Sequence, residues 1–212
     1  MTMMTRIARA TGAAGPLLGL SGMAALRTPC GERRVENVRP GDLIVTRDNG
    51  LQPVRLVWTR TVTEADIAAD PSLAPVRLKQ RAIGPMMPRR DLVVAPRHRI
   101  LVPGYRLADR PDCEPCLIAA RDIAEASDDA FLDKGVGEIT YYNIVFDAHQ
   151  VFCANGLPVE SYLPCADTLG ELGDEVRESL AAIFFTGPEV GEVFPAPRYS
   201  APEQENYRPE FV

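Results

Sequence analysis

Short β-branched runs separated by turn residues recur along this chain, and that alternation constrains its fold more than any other feature. Val35-Glu-Asn-Val38 leads into Arg39-Pro-Gly-Asp42, where proline fixes φ and glycine supplies a positive φ. Leu43-Ile-Val-Thr46 reads as a strand, Asp48-Asn-Gly50 as a hairpin-type turn, and Gln52 to Trp58 as the next strand. The same grammar returns at Ala74 to Leu78, Asp91 to Val102, Ile139 to Phe146 and Gln150 to Phe152, with Asn155-Gly156 as a further tight turn. Many short strands with turns between them predict a compact all-β body rather than βαβ units. Only two stretches read as helical. Leu117 to Ala126 follows a polar segment that looks like an insertion. Leu169 to Phe184 places Leu172, Val176, Leu180 and Ile183 on one apolar stripe, as expected of a helix that covers the β body.

Size and charge narrow the classes. At 212 residues the chain fits one domain with appendages. A net charge of −6 argues against a nucleic-acid partner, because phosphate binding rests on clustered basic side chains. No segment reaches the ~20 apolar residues needed to span a bilayer, so no membrane partner and a soluble protein are expected. Met1 to Arg9 and the small apolar run after it resemble a signal peptide, but glycine, serine and proline interrupt the apolar region. Cytoplasmic retention is expected, with secretion left open. Phe185 to Val212 carries five prolines and reads as an irregular tail, laid over the domain by Phe194, Tyr199, Tyr207 and Phe211. P-loop, dinucleotide-binding and HExxH motifs are absent from the sequence.

The chain has two histidines, and each lies in a strand-like apolar run. His98 sits in Leu92-Val-Val-Ala-Pro-Arg-His-Arg-Ile-Leu-Val102, and His149 in Tyr141-Tyr-Asn-Ile-Val-Phe-Asp-Ala-His-Gln-Val-Phe152. Imidazole titrates near physiological pH, which makes both candidates for acid, base or ligand. A hydrogen-bonded strand residue is the plain alternative for either. Asp147, two residues before His149, shares its face if the segment is a strand.

Three blocks together resemble the Hint family, the self-processing modules of inteins and Hedgehog proteins, and especially the bacterial Hint-domain proteins outside true inteins. They are Leu26 to Asp48, with Val35-Glu-Asn-Val-Arg-Pro-Gly-Asp42 at its centre; Ala95-Pro-Arg-His98; and Tyr142 to Pro164. The resemblance implies a Hint-like horseshoe or pseudo-barrel over residues 19–166. A leader at 1–18, a covering helix at 167–187 and a Pro-rich tail at 188–212 complete the expected layout. Active members of the family open with a cysteine or serine that attacks the preceding carbonyl, and their block histidine polarises that bond and protonates the departing amine. Matched to Thr28-Pro29, the nucleophile position falls on Gly19 and the glycine-threonine position on Met23-Ala24. Ala95 replaces the threonine of Thr-x-x-His, and Pro158-Val-Glu-Ser161 stands where inteins end in His-Asn. The resemblance thus implies a domain that keeps the scaffold, has lost autocatalytic cleavage and works as a binding or structural module. Its partner would be another protein or its own N-terminal segment.

Two other readings stay open. Ser21 is two positions beyond Gly19 and, with His98 as its base, could cleave the N-terminal junction by an acyl shift to oxygen. On the resemblance, His149 and Asp147 would assist a late step. Cys113-Glu-Pro-Cys116 offers half of a zinc site, to be completed by Cys153, Cys165 or a histidine, although a second CxxC is missing. Otherwise no cofactor is expected. Cys30, in Thr28-Pro-Cys-Gly31, reads as a turn residue.

Overall fold

The computed structural model describes residues 8–10, 17–107, 114–165, 169, 172–184, 196–201 and 207–208. In chain order the first strands are β1 (Ala8–Ala10), β2 (Leu20–Ser21), β3 (Ala25–Thr28), β4 (Gly31–Arg34), β5 (Leu43–Val45), β6 (Leu51–Pro53), β7 (Leu56–Val62) and β8 (Val76–Leu78). They continue with β9 (Leu92–Val94), β10 (Arg99–Val102), β11 (Cys116–Ala119), β12 (Ala130–Leu132), β13 (Ile139–Val145), β14 (Val151–Ala154) and β15 (Leu157–Glu160). Helices are α1 (Glu64–Ala69), α2 (Ala120–Ala126) and α3 (Asp174–Phe184).

The strands form a seven-stranded sheet ordered β1-β7-β13-β2-β9-β8-β12, a six-stranded sheet ordered β11-β10-β15-β14-β3-β4, and the β5-β6 pair. Among the described residues only β1 runs parallel to its neighbour, with Ala8 to Ala10 beside Trp58 to Arg60 on β7. The predicted all-β architecture is therefore present, and none of these sheets closes into a barrel. Leu20, Leu26, Ile44, Leu78, Ile100 and Phe152 belong to the principal core, each buried. Turn chemistry sets the register. Gly50, at φ +63°, ends the Asp48-Asn-Gly50 turn that pairs Val45 with Leu51. Asn155 and Gly156, at φ +49° and +83°, join β14 to β15.

The C-terminal helix takes its predicted covering role, although α3 begins only at Asp174 and Leu172, expected on its stripe, lies in a bend before it. Val176 and Leu180 on α3 are fully buried against Leu56, Trp58, Val145 and Tyr162, with Leu172 and Ile183 packed beside them. Trp58, buried on β7, meets Tyr162 edge to face, with ring centroids 5.0 Å apart.

Other expectations shift. Leu117 to Ala119 is not helical; it is part of β11, paired with Arg99 to Leu101, and the helix begins only at Ala120. Leu117 and Ile118 are both buried, so tertiary burial of the two faces overrides the local helical pattern. Neither histidine is inside a strand. His98 lies between β9 and β10, after the Pro96-Arg97 turn, and His149 lies between β13 and β14. Helix α1 carries a capping box between Thr63 and Asp66 that the hydrophobic pattern did not reveal. Among the described residues no helix is long and apolar enough to cross a membrane.

Asn155 connects distant parts of this fold. Its Oδ1 accepts the Ala25 amide at 2.9 Å, and its Nδ2 donates to the Asp91 carbonyl at 2.8 Å. Asn155 and Ala25 are both buried, so removal of the side chain leaves the Ala25 amide without its partner in the interior. Asn155→Ala is expected to lower the unfolding free energy by about 2–3 kcal/mol in urea titration. Cys30→Ser, at an exposed turn position, should change it by no more than about 0.5 kcal/mol.

Candidate functional site

The N-terminal segment enters the fold through four consecutive residues gripped by different parts of the core. Leu17 packs with Val62, Ala95 and Tyr141; Leu18 packs against the cluster around Trp58 and Tyr162; Leu20 belongs to the principal core. Gly19 lies between them, buried, with φ +116°. Its carbonyl accepts the Ala95 amide at 2.9 Å, and the Leu17 carbonyl accepts the Arg97 amide at 3.3 Å.

The Leu18–Gly19 peptide bond is held at both ends by side chains. The Gly19 amide donates to His98 Nδ1 at 3.3 Å, and Asn143 Nδ2 donates to the Leu18 carbonyl at 3.3 Å. His98 and Asn143 are 4% and 3% exposed. Since Nδ1 accepts a hydrogen bond, the imidazole proton resides on Nε2, which has no hydrogen-bond partner among the described residues. Burial pushes the His98 pKa down to about 4, reinforced by Arg99 and His149 and partly opposed by the Glu160 carboxylate. At neutral pH His98 is therefore an uncharged acceptor.

Glu160 is the nearby acid. It ends β15, is 5% exposed, and accepts the Arg99 amide on Oε1 at 3.0 Å. Its Oε2 lies 3.6 Å from His149 Nε2 and 3.8 Å from Arg99 Nη1. Burial alone would raise its pKa, but His149, His98 and Arg99 outweigh that cost and hold it below the usual carboxylate range. His149 Nδ1 accepts the Arg198 backbone amide at 2.9 Å. The centre is thus a buried carboxylate beside His149 and electrostatically coupled to His98 as well.

The remaining sequence candidates lie elsewhere. Asp147 is exposed and paired with Arg55 at 2.7 Å, whereas His149 is buried; their shared-face expectation fails because the segment is a bend, not a strand. Ser21 lines an open cavity of about 780 Å³ together with Glu36, Arg90 and Tyr142, and His98 is not among the residues lining it. Cys116 is buried in β11, and Cys113 lies outside the described residues. Among the described residues no group of three or more His, Cys, Asp or Glu side chains is placed to hold a metal. Asn143 and Glu160 were not singled out from sequence. The available signal was a polar side chain in each of two otherwise apolar runs, Tyr141-Tyr-Asn-Ile-Val145 and Leu157-Pro-Val-Glu160.

The lowered His98 pKa has a stability consequence. An unfolded imidazole titrates near 6.5 and takes up its proton first, so this contribution is complete above that pH and declines toward pH 4, by about 3 kcal/mol in total. Glu160, held below its ordinary value, adds a further loss that begins only as the pH falls through the ordinary carboxylate range. Urea titrations at pH 7.5, 6.0 and 5.0 should show decreasing stability, with a clearly flatter dependence in His98→Asn.

Comparison with known proteins gives a family. The model for the Hint domain matches residues 20–166. Solved structures similar to the chain include the crystal structure of the gp41-1 intein, 13% identical, covering 69% of this chain and 98% of that one with a TM-score of 0.40. The solution structure of a bacterial intein-like domain from Clostridium thermocellum is 13% identical, covering 69% and 100%, with a TM-score of 0.42. The Msm DnaB1 intein splicing domain bound with zinc is 10% identical, covering 66% and 98%, with a TM-score of 0.40. No curated protein matches the sequence. With the family model covering well over half of its length, the chain belongs to the Hint domain family.

Proposed function

We propose that this protein is a Hint domain that grips its own N-terminal junction without cutting it and serves as a binding or structural module, with the segment before Gly19 as its built-in ligand. The supporting observation is the Leu18–Gly19 peptide. Its amide and carbonyl are both engaged, by His98 and Asn143, yet residue 19 has no side chain to attack the carbonyl. The space is also taken. A Cβ on Gly19 would meet Asn143 Nδ2 and the Tyr142 carbonyl at 3.0 Å and Tyr141 Cβ at 3.1 Å. The positive φ adds strain for any other residue.

Chemistry and packing agree. A departing amine needs a proton, and His98 at neutral pH presents a lone pair toward the Gly19 amide. Releasing the leader would also expose Leu17, which is 3% exposed and contributes about 1.5–3 kcal/mol through burial. Ser21 cleavage is disfavoured because its cavity is not lined by His98.

The test is the intact mass of the full chain bearing an N-terminal fusion, with and without hydroxylamine, beside His98→Ala. A single full-length mass in every sample is expected; a shorter product that requires His98 and begins at Gly19 or Ser21 would overturn the reading. Gly19→Cys should likewise yield no product and should lose about 1–3 kcal/mol of stability from its backbone strain, read by urea titration. Efficient cleavage in that variant would show that the missing thiol, rather than the occupied space, is what silences the site.

A further inference from the structure

Residues 196–201, Ala-Pro-Arg-Tyr-Ser-Ala, run over the six-stranded sheet with a bend at Arg198-Tyr199 and reach the β11 edge at Ser200. Their contacts have the character of peptide recognition. The Arg198 backbone amide donates to His149 Nδ1 at 2.9 Å, and the Ser200 carbonyl accepts the Leu117 amide at 2.8 Å. Between these backbone anchors, Tyr199 and Ala201 rest on Leu101, Leu117 and Val151. Asp48 reads the two central side chains together. Its carboxylate accepts the Tyr199 hydroxyl at 2.8 Å and lies 3.4 Å from Arg198 Nε, while the guanidinium sits 5.5 Å from the Tyr199 ring centre.

We propose that this surface is a peptide-binding groove for segments that bend at an arginine–tyrosine pair, occupied in cis by the protein's own residues 196–201. Four features define its specificity. The Leu101-Leu117-Val151 floor takes the aromatic ring, Asp48 takes the hydroxyl and the guanidinium, and two fixed hydrogen-bonding groups, His149 Nδ1 and the Leu117 amide, take the backbone. Charge complementarity favours a basic peptide, since the Asp48 carboxylate faces Arg198. The groove makes no contact with Gly19 or Ser21, so binding to it is read separately from cleavage of the N-terminal junction.

Covalent attachment gives the tail a high effective concentration, which a free peptide must overcome. The test therefore weakens the tail within the full chain, as Arg198→Ala with Tyr199→Ala, and adds a fluorescently labelled peptide of the native sequence of residues 196–201. Saturable binding is expected, at least about tenfold tighter than to the unaltered protein, and lost when Asp48→Ala is added. Absence of binding to the folded variant at millimolar peptide, equal binding to both proteins, or binding indifferent to Asp48→Ala would overturn the proposal. A second measurement avoids the double variant altogether. In the full chain, Asp48→Ala should speed amide hydrogen exchange at Leu117 about tenfold or more while leaving the amide of Val57, in the far sheet, unchanged; unchanged exchange at Leu117 would equally refute the groove.

Discussion

The uncharged imidazole of His98, buried and accepting the Gly19 amide, is the contact around which the rest of this structure is arranged. It fixes the entry of the N-terminal segment at the point where β2, only two residues long, fits between β13 and β9. A charged imidazole there would lack solvation and could not accept that hydrogen bond, so burial and tautomer enforce one another. Asn143 completes the grip from β13, and its amide also occupies the space that a side chain on residue 19 would need. A single arrangement therefore holds the peptide and fills the space beside Gly19.

The buried carboxylate of Glu160 links this contact to the other end of the chain. Taking a carboxylate out of water is expensive unless its oxygens are engaged, and here the Arg99 amide and guanidinium and the His149 ring share that task. His149 in turn meets the backbone of Arg198. Segments near the two ends of the chain consequently converge on one interior cluster, Leu18–Gly19 at His98 and Arg198 at His149. A second anchor lies at Tyr207, buried in the principal core and bridged to Leu107.

Much of this organisation was legible in the sequence, because it is carried by local signals. Asp48-Asn-Gly50 and Asn155-Gly156 gave their hairpins through turn chemistry, and the Leu172-Val176-Leu180-Ile183 stripe gave the covering helix. The family resemblance held over residues 20–166, and it drew attention to His98, which the fold brings to the Gly19 amide. Long-range pairing was not legible. Asn143 bonds a carbonyl 125 residues away, and Glu160 acquires its role from Arg99 and His149, so neither has a local signature. The same limit accounts for Leu117 to Ala119, whose helical pattern yields to pairing with β10, and for Asp147, whose separation from His149 depends on a bend. Of the tail residues named from sequence, Tyr199 and Tyr207 dock on the domain, while Phe194 and Phe211 lie outside the described residues.

The protonation state of His98 tests the account most directly, and ring-nitrogen NMR of the uniformly labelled protein reads it. The structure predicts a neutral ring with an acceptor-type Nδ1 and a protonated Nε2, with shifts that stay constant between pH 7.5 and pH 6. A ring that becomes imidazolium above pH 6, or that carries its proton on Nδ1, would contradict the hydrogen bond to Gly19 and with it the account of a gripped, uncut junction.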